Sequence, residues 1–112
     1  MAIVKNPFIT DVKNLVKVSV EQLANKNQFV INCKINDNRA ICFQSYQTLI
    51  AVYYPANKIM FVNYHYWDYS KTTSKHFKMF VNEYTHYRYE SRLEWLKTME
   101  NDPSLGWFED LD

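Results

Sequence analysis

Along most of this chain apolar and polar positions alternate, and near residue 70 the period changes. Phe29, Ile31, Cys33 and Ile35 fall on one face of an extended segment, which is the period-two pattern of a half-buried strand. Residues 39–46, 48–54 and 58–64 read the same way. Asn36-Asp37-Asn38 and Pro55-Ala56-Asn57 separate the runs, and these residue types tolerate the left-handed or fixed φ that turns need. Connections this short join antiparallel neighbours, because parallel strands need a long crossover. Upstream, Pro7 marks a boundary. Val12, Leu15, Val16, Leu23 and Ala24 fit a helical stripe that Thr10 or Asp11 can cap, so a helix is expected there. Val16, Val18 and Val20 also alternate, as in a strand.

After residue 70 the apolar spacing becomes i, i+3, i+4, i+7 at Phe77, Phe80, Val81 and Tyr84, the stripe of an amphipathic helix. Ser70, Thr72 or Thr73 can cap it. The phase breaks at Thr85-His86. A second helix follows on Tyr89, Leu93 and Leu96, widened by Trp95 and Met99, and Asn101-Asp102-Pro103 stops it. The expected fold is α+β: an antiparallel three- to four-stranded meander with helices packed on one face. Residues 1–112 form a single domain, of which 103–112 is a short acidic tail.

A chain of 112 residues with 17% aromatics and one glycine can bury a core without disulfides or metal. No apolar run reaches membrane-spanning length. The first residues lack the apolar stretch of a secretory signal, so a cytoplasmic location is expected, with Cys33 and Cys42 reduced. If their strands pair, the two thiols come near each other. The net charge of +1 conceals a split. Lys71, Lys75, Lys78, Arg88 and Arg92 stand against Glu83 and Glu90. Beyond them Lys97 alone faces Glu94, Glu100, Asp102, Glu109, Asp110 and Asp112. A basic helix followed by an acidic tail implies self-neutralisation, two partner surfaces or simple solvation.

The candidate chemistry concentrates between Tyr64 and His76. A helix N-terminus there exposes unpaired N–H groups and partial positive charge. Lys71, Thr72, Thr73, Lys75 and His76, joined downstream by Lys78, Arg88 and Arg92, are the residues expected to meet phosphate or an acidic partner. Tyr66, Tyr87 and Tyr89 are the rings expected to stack on unpaired bases. In the tail, Trp107 and Phe108 have the character of interface anchors, and Glu109, Asp110 and Asp112 can answer a basic partner surface. The opposing reading is that the rings close the core, the hydroxyls cap the helix and the tail folds back. His65, Asp68, His76 and His86 have no metal-ligand spacing, and neither cysteine pairs with a histidine as in a zinc finger. No catalytic set, metal or cofactor is expected.

Two motifs, Ser45-Tyr46-x-Thr48-x-Ile50-Ala51 and Trp67-x-Tyr69-Ser70-x-Thr72-Thr73-x-Lys75-His76-Phe77, resemble a family of small proteins encoded by phages and mobile elements of Gram-positive bacteria. The resemblance covers roughly Arg39 to Val81. It implies a phage context and brings no catalytic role. The expected function is then that of a non-enzymatic accessory protein. It would bind a host protein or nucleoprotein complex and inhibit a defence nuclease, as anti-CRISPR proteins do. The alternative is direct binding of DNA or RNA by the basic, aromatic-rich helix.

Overall fold

The structure is a computed structural model that describes residues 15–23 and 26–109. Its strands are β1 (Leu15–Gln22), β2 (Gln28–Ile35), β3 (Asn38–Ser45), β4 (Thr48–Tyr54), β5 (Ile59–Asn63) and β6 (Leu105–Phe108). Two helices, α1 (Lys71–Tyr84) and α2 (Arg92–Asn101), lie between β5 and β6 in sequence. The strands form one six-stranded sheet in the order β1-β2-β3-β4-β5-β6. The first five pair antiparallel, and β6 runs parallel to β5. The fold is therefore α+β, but the sheet has six strands and is mixed, not a three- to four-stranded meander.

Strands β2 to β5 occupy the runs that alternation marks, within a residue or two. Asn36 and Asp37 both take positive φ, 50° and 65°, and so make the tight β2–β3 turn that hairpin twist favours. The helix expected upstream is not present over Leu15–Gln22, which is strand β1; residues 10–14, 24 and 25 lie outside the described residues. The alternation at Val16, Val18 and Val20 prevails because β1 completes a ladder with β2. Val16, Val18 and Val20 all stay exposed. A bulge between Lys17 and Ser19 breaks the alternation on this outer strand, and edge bulges and charges discourage further pairing.

The tail is the second correction. Leu105–Phe108 forms β6, with Trp107 opposite Val62 and Phe108 opposite Asn63. Trp107 and Phe108 are 3% and 4% exposed, so neither side chain is free to anchor a partner. Gly106 faces Phe61 across the ladder. A Cβ on Gly106 would lie 2.7 Å from the Phe61 ring, so the one glycine of the chain stands where two strands approach too closely for a side chain.

Both faces of the sheet carry buried apolar side chains. On one face Val30, Phe43, Met60 and Val62 pack with Phe77, Phe80 and Val81 of α1 and Trp95 and Met99 of α2. The other face holds Ile31, Cys33, Ile35, Cys42, Val52 and Phe61 and, among the described residues, no helix side chain. Trp95 centres the helix layer, with Phe77, Tyr87 and Tyr89 each within 6.2 Å of its ring. Leu93, expected in the α2 stripe, is 63% exposed. The buried line of α2 is Trp95 and Met99, with Leu96 packed partly against it.

Candidate functional site

Helix α1 begins where expected. Ser70 is its N-cap in extended backbone, and its Oγ accepts from the Thr73 N–H at 3.1 Å. Ser70 Oγ in turn donates to Thr73 Oγ1 at 3.1 Å, and Thr73 Oγ1 lies 3.0 Å from Ser45 Oγ on β3. This hydroxyl chain ties the helix start to the sheet.

The tie also divides the expected contact residues. Thr73 and His76 lie on the buried stripe with Phe77, Phe80 and Val81. The His76 Nδ1–H donates to the Thr72 carbonyl at 2.7 Å. A ring 4% exposed and bound in this way packs the helix and does not meet a partner. Lys71, Lys75 and Lys78, at i, i+4 and i+7, are exposed on the opposite side. Lys78 donates to the Glu90 carbonyl at 3.1 Å. Arg92 forms an ion pair with Asp68 and lies 5.4 Å from the Trp67 ring centre. That carboxylate holds the Arg92 guanidinium above its ordinary pKa, so much of its charge is answered within the chain. Lys71 and Lys75 have no ion-pair or hydrogen-bond partner among the described residues. Arg88 is exposed in the connection between the helices, outside the cleft that Lys71 and Lys75 line.

Lys71, Lys75 and Arg92 share an open cleft of about 480 Å³ with Asp68, Ser70 and Ser74. Next to it, across the helix start, is a smaller and more enclosed cavity of about 260 Å³. Tyr46, Tyr66 and Tyr69 line this cavity, together with Ser45, Thr48, Ile50 and Thr73. The rings of Tyr66 and Tyr69 lie 5.5 Å apart. Tyr69 is 74% exposed and Tyr46 is 53% exposed. Two sequence stretches far apart, one around the β3–β4 turn and one around the α1 cap, thus meet at one surface.

The other expected rings do not join it. Tyr87 and Tyr89 are buried against Trp95. Asn82 holds the Tyr89 backbone through both ends of its amide, at 2.8 and 2.9 Å. The Tyr87 hydroxyl points at the carbonyls of Lys58 and Ser104, 3.2 and 3.1 Å away, so it fastens β6 to the β4–β5 turn. Burial pushes its pKa up from 10.0 to about 12. Above pH 10 the unfolded chain ionises this phenol while the folded chain keeps its proton, so stability present below pH 10 is lost as pH rises toward 12. Tyr87→Phe should cost about 1 kcal/mol at neutral pH by removing the hydrogen bond. Its urea midpoint should also fall less steeply than wild type between about pH 10 and 12; parallel slopes would mean that the phenol does not carry the dependence.

Of the tail residues, Glu109 is exposed and its Oε1 lies 3.3 Å from His65 Nε2; Asp110 and Asp112 lie outside the described residues. Cys33 and Cys42 are both free thiols, buried, with sulfurs 3.6 Å apart. The thiol contact pushes Cys42 well above the ordinary range and holds Cys33 below it. Among the described residues no three His, Cys, Asp or Glu side chains gather as a metal site, and no helix is long and apolar enough to cross a membrane.

Sequence reasoning missed Tyr46. It sits in the two-residue turn between Ser45 and Thr48, which pair, and its φ is +55°. Glycine or asparagine is the usual residue in that conformation. A tyrosine there was the available signal.

The chain belongs to a family of unknown function, DUF8033, whose model matches residues 18–97. No curated protein and no solved structure matches it. The matched span includes both sides of the tyrosine-lined cavity and the α1 cap, and it ends before β6.

Proposed function

We propose that this protein acts by binding, that its working surface is the α1 cap with the adjoining β3–β4 turn, and that its ligand is single-stranded nucleic acid. One observation carries the reading: exposed Tyr46 and Tyr69 line a cavity at the α1 start, and the same first turns of α1 carry Lys71 and Lys75, two exposed cations that no carboxylate answers among the described residues. Phosphates neutralised by lysines supply affinity without sequence preference. Exposed rings supply stacking to any base whose face is free. A duplex hides those faces, so the single strand is the form that uses both features. The sequence-based expectation of an inhibitor that binds a host nuclease complex loses one of its candidate contact sets, because Trp107 and Phe108 are built into the sheet. A phage or mobile-element origin remains compatible with a strand-binding accessory protein.

The test is fluorescence anisotropy with a labelled single-stranded oligonucleotide. Neutralising two or three phosphates predicts roughly a tenfold loss of affinity between 50 and 200 mM salt. The double substitution Lys71→Glu, Lys75→Glu should weaken binding by at least about tenfold and flatten the salt slope, with the thermal midpoint unchanged because both side chains are exposed. Binding to neither DNA nor RNA single strands at low salt would refute the proposal.

A further inference from the structure

We infer that the cavity between the β3–β4 turn and the α1 cap is a pocket for one unpaired nucleobase, so that the protein holds a strand by a base as well as by its phosphates. The inference rests on the reading of the surface as a nucleic-acid site and adds the chemistry of its second half.

Size is the first argument. At about 260 Å³ the cavity is at or below the small end of ligand pockets, which run from roughly 300 to 1,000 Å³. It has room for a single ring system and not for a base pair. Its lining is the second. Tyr66 and Tyr69, with ring centres 5.5 Å apart and planes inclined at 47°, are not stacked face to face on each other. Tyr69, 74% exposed, keeps a free ring for a planar guest. Aromatic faces accept any base.

The floor is the third argument. Beside the tyrosines it is lined by the hydroxyls of Ser45, Thr48 and Thr73 and by Ile50, and it contains no charged side chain. Ser70 donates to Thr73 and so occupies one acceptor site on Thr73 Oγ1. With the Thr73 hydrogen directed to Ser45, which is 3.0 Å away, the Ser45 hydrogen is left to turn toward the cavity. Thr48 also lines the cavity, and its hydroxyl has no hydrogen-bond partner among the described residues. Hydroxyls both donate and accept. They suit the neutral edge of a base, with its carbonyl and amino groups, and they discriminate weakly among bases. A carboxylate or guanidinium would have imposed a choice.

Tyr46 is the fourth. A non-glycine residue with φ of +55° costs on the order of 1–2 kcal/mol. The Tyr46 N–H donates to the Asn27 carbonyl and the Gln44 side-chain amide donates to the Tyr46 carbonyl, both at 2.7 Å. The turn is therefore held firmly in this conformation, and it places a large aromatic side chain at the cavity rim. Across the helix start lie Lys71 and Lys75. A strand with one base in the cavity can lay a neighbouring phosphate on these lysines.

The experiment compares two labelled eight-unit oligomers of equal charge, oligothymidylate and an abasic sugar-phosphate chain, on wild type, Tyr69→Ala, Tyr69→Phe and the Lys71→Glu, Lys75→Glu double variant. For wild type the base-bearing oligomer should bind about tenfold more tightly or better. Tyr69→Ala should bring the two oligomers to nearly equal affinity with an unchanged salt slope, and Tyr69→Phe should restore the difference. The lysine variant should weaken both oligomers by a similar factor and keep the ratio between them. Equal binding of the two oligomers by wild type, or a ratio untouched by Tyr69→Ala, would overturn the base pocket while leaving phosphate binding intact. Failure of wild type to bind either oligomer or an eight-unit oligouridylate would overturn the nucleic-acid reading along with it.

Discussion

A chain ending at Pro103 should fail to fold, and should not simply lose a free tail. The residues removed include β6, whose Trp107 and Phe108 are 3% and 4% exposed, and its ladder to β5. Losing a buried Trp or Phe side chain costs about 3–5 kcal/mol each, against a total stability of about 5–15 kcal/mol for a domain. The truncation also strips the Ser104 carbonyl from Tyr87 and Met60 and exposes Val62 and Asn63. Circular dichroism should show loss of the cooperative thermal transition. A truncated chain that melts cooperatively near the wild-type midpoint would mean that β6 is an appendage and that the core closes without it.

The second large effect is at Trp95. It is the largest of the fully buried side chains, and its ring meets Phe77 of α1 and both Tyr87 and Tyr89 of the connection between the helices. It therefore joins α2 both to α1 and to the connection, which are already tied to each other through Asn82 and Tyr89. Trp95→Ala should cost about 3–5 kcal/mol, which lowers the melting temperature by 12 °C or more at about 4–8 °C per kcal/mol for a domain near this size. Leu93→Ala, two residues away but 63% exposed, should change stability by no more than about 0.5 kcal/mol. The contrast is sharp because sequence periodicity places Leu93, not Trp95, on the main stripe. Equal losses at the two positions would refute the packing described for α2.

That pair shows what the sequence can and cannot convey. The antiparallel strands β2 to β5 are legible because their period, their turn residues and their partners are all local. Asn36 and Asp37 alone nearly specify the first turn. Helix α1 is legible for the same reason, with Ser70 as its cap. Strand β1 was contested by two periods in one stretch, and the ladder to β2 decided between them. Strand β6 is four residues long and pairs with a strand more than forty positions upstream, so no local pattern announces it. The acidic residues around it make it look like a solvated tail. Its one clue was Gly106, set between Leu105 and Trp107, where a missing side chain permits the approach to Phe61.

The proposed binding surface divides along the same line. Lys71 and Lys75 were legible, since lysines on the polar side of an amphipathic helix stay in water. Thr73 and His76 read as exposed because the expected stripe began at Phe77, one turn too late; the buried line starts at Thr73. Tyr87 and Tyr89 carry the same mixture of ring and cation in sequence as Tyr66 and Tyr69 do. Packing against Trp95, Phe77 and Tyr53 makes the first pair core. Tyr46 comes from a hairpin turn, and its nearness to Tyr69 depends on how α1 docks on β3, which is a tertiary fact.

The most direct measurement is a nitrogen–proton correlation spectrum of the full chain titrated with single-stranded oligothymidylate. The account predicts that the largest shifts fall on Tyr46, Thr48, Tyr69, Ser70, Lys71 and Lys75, the residues of the two adjoining cavities. Amides of β1 and β6 should remain in place. Shifts concentrated on β1, on the Glu109 side of β6 or on the Arg88 connection, with the α1 cap silent, would contradict it.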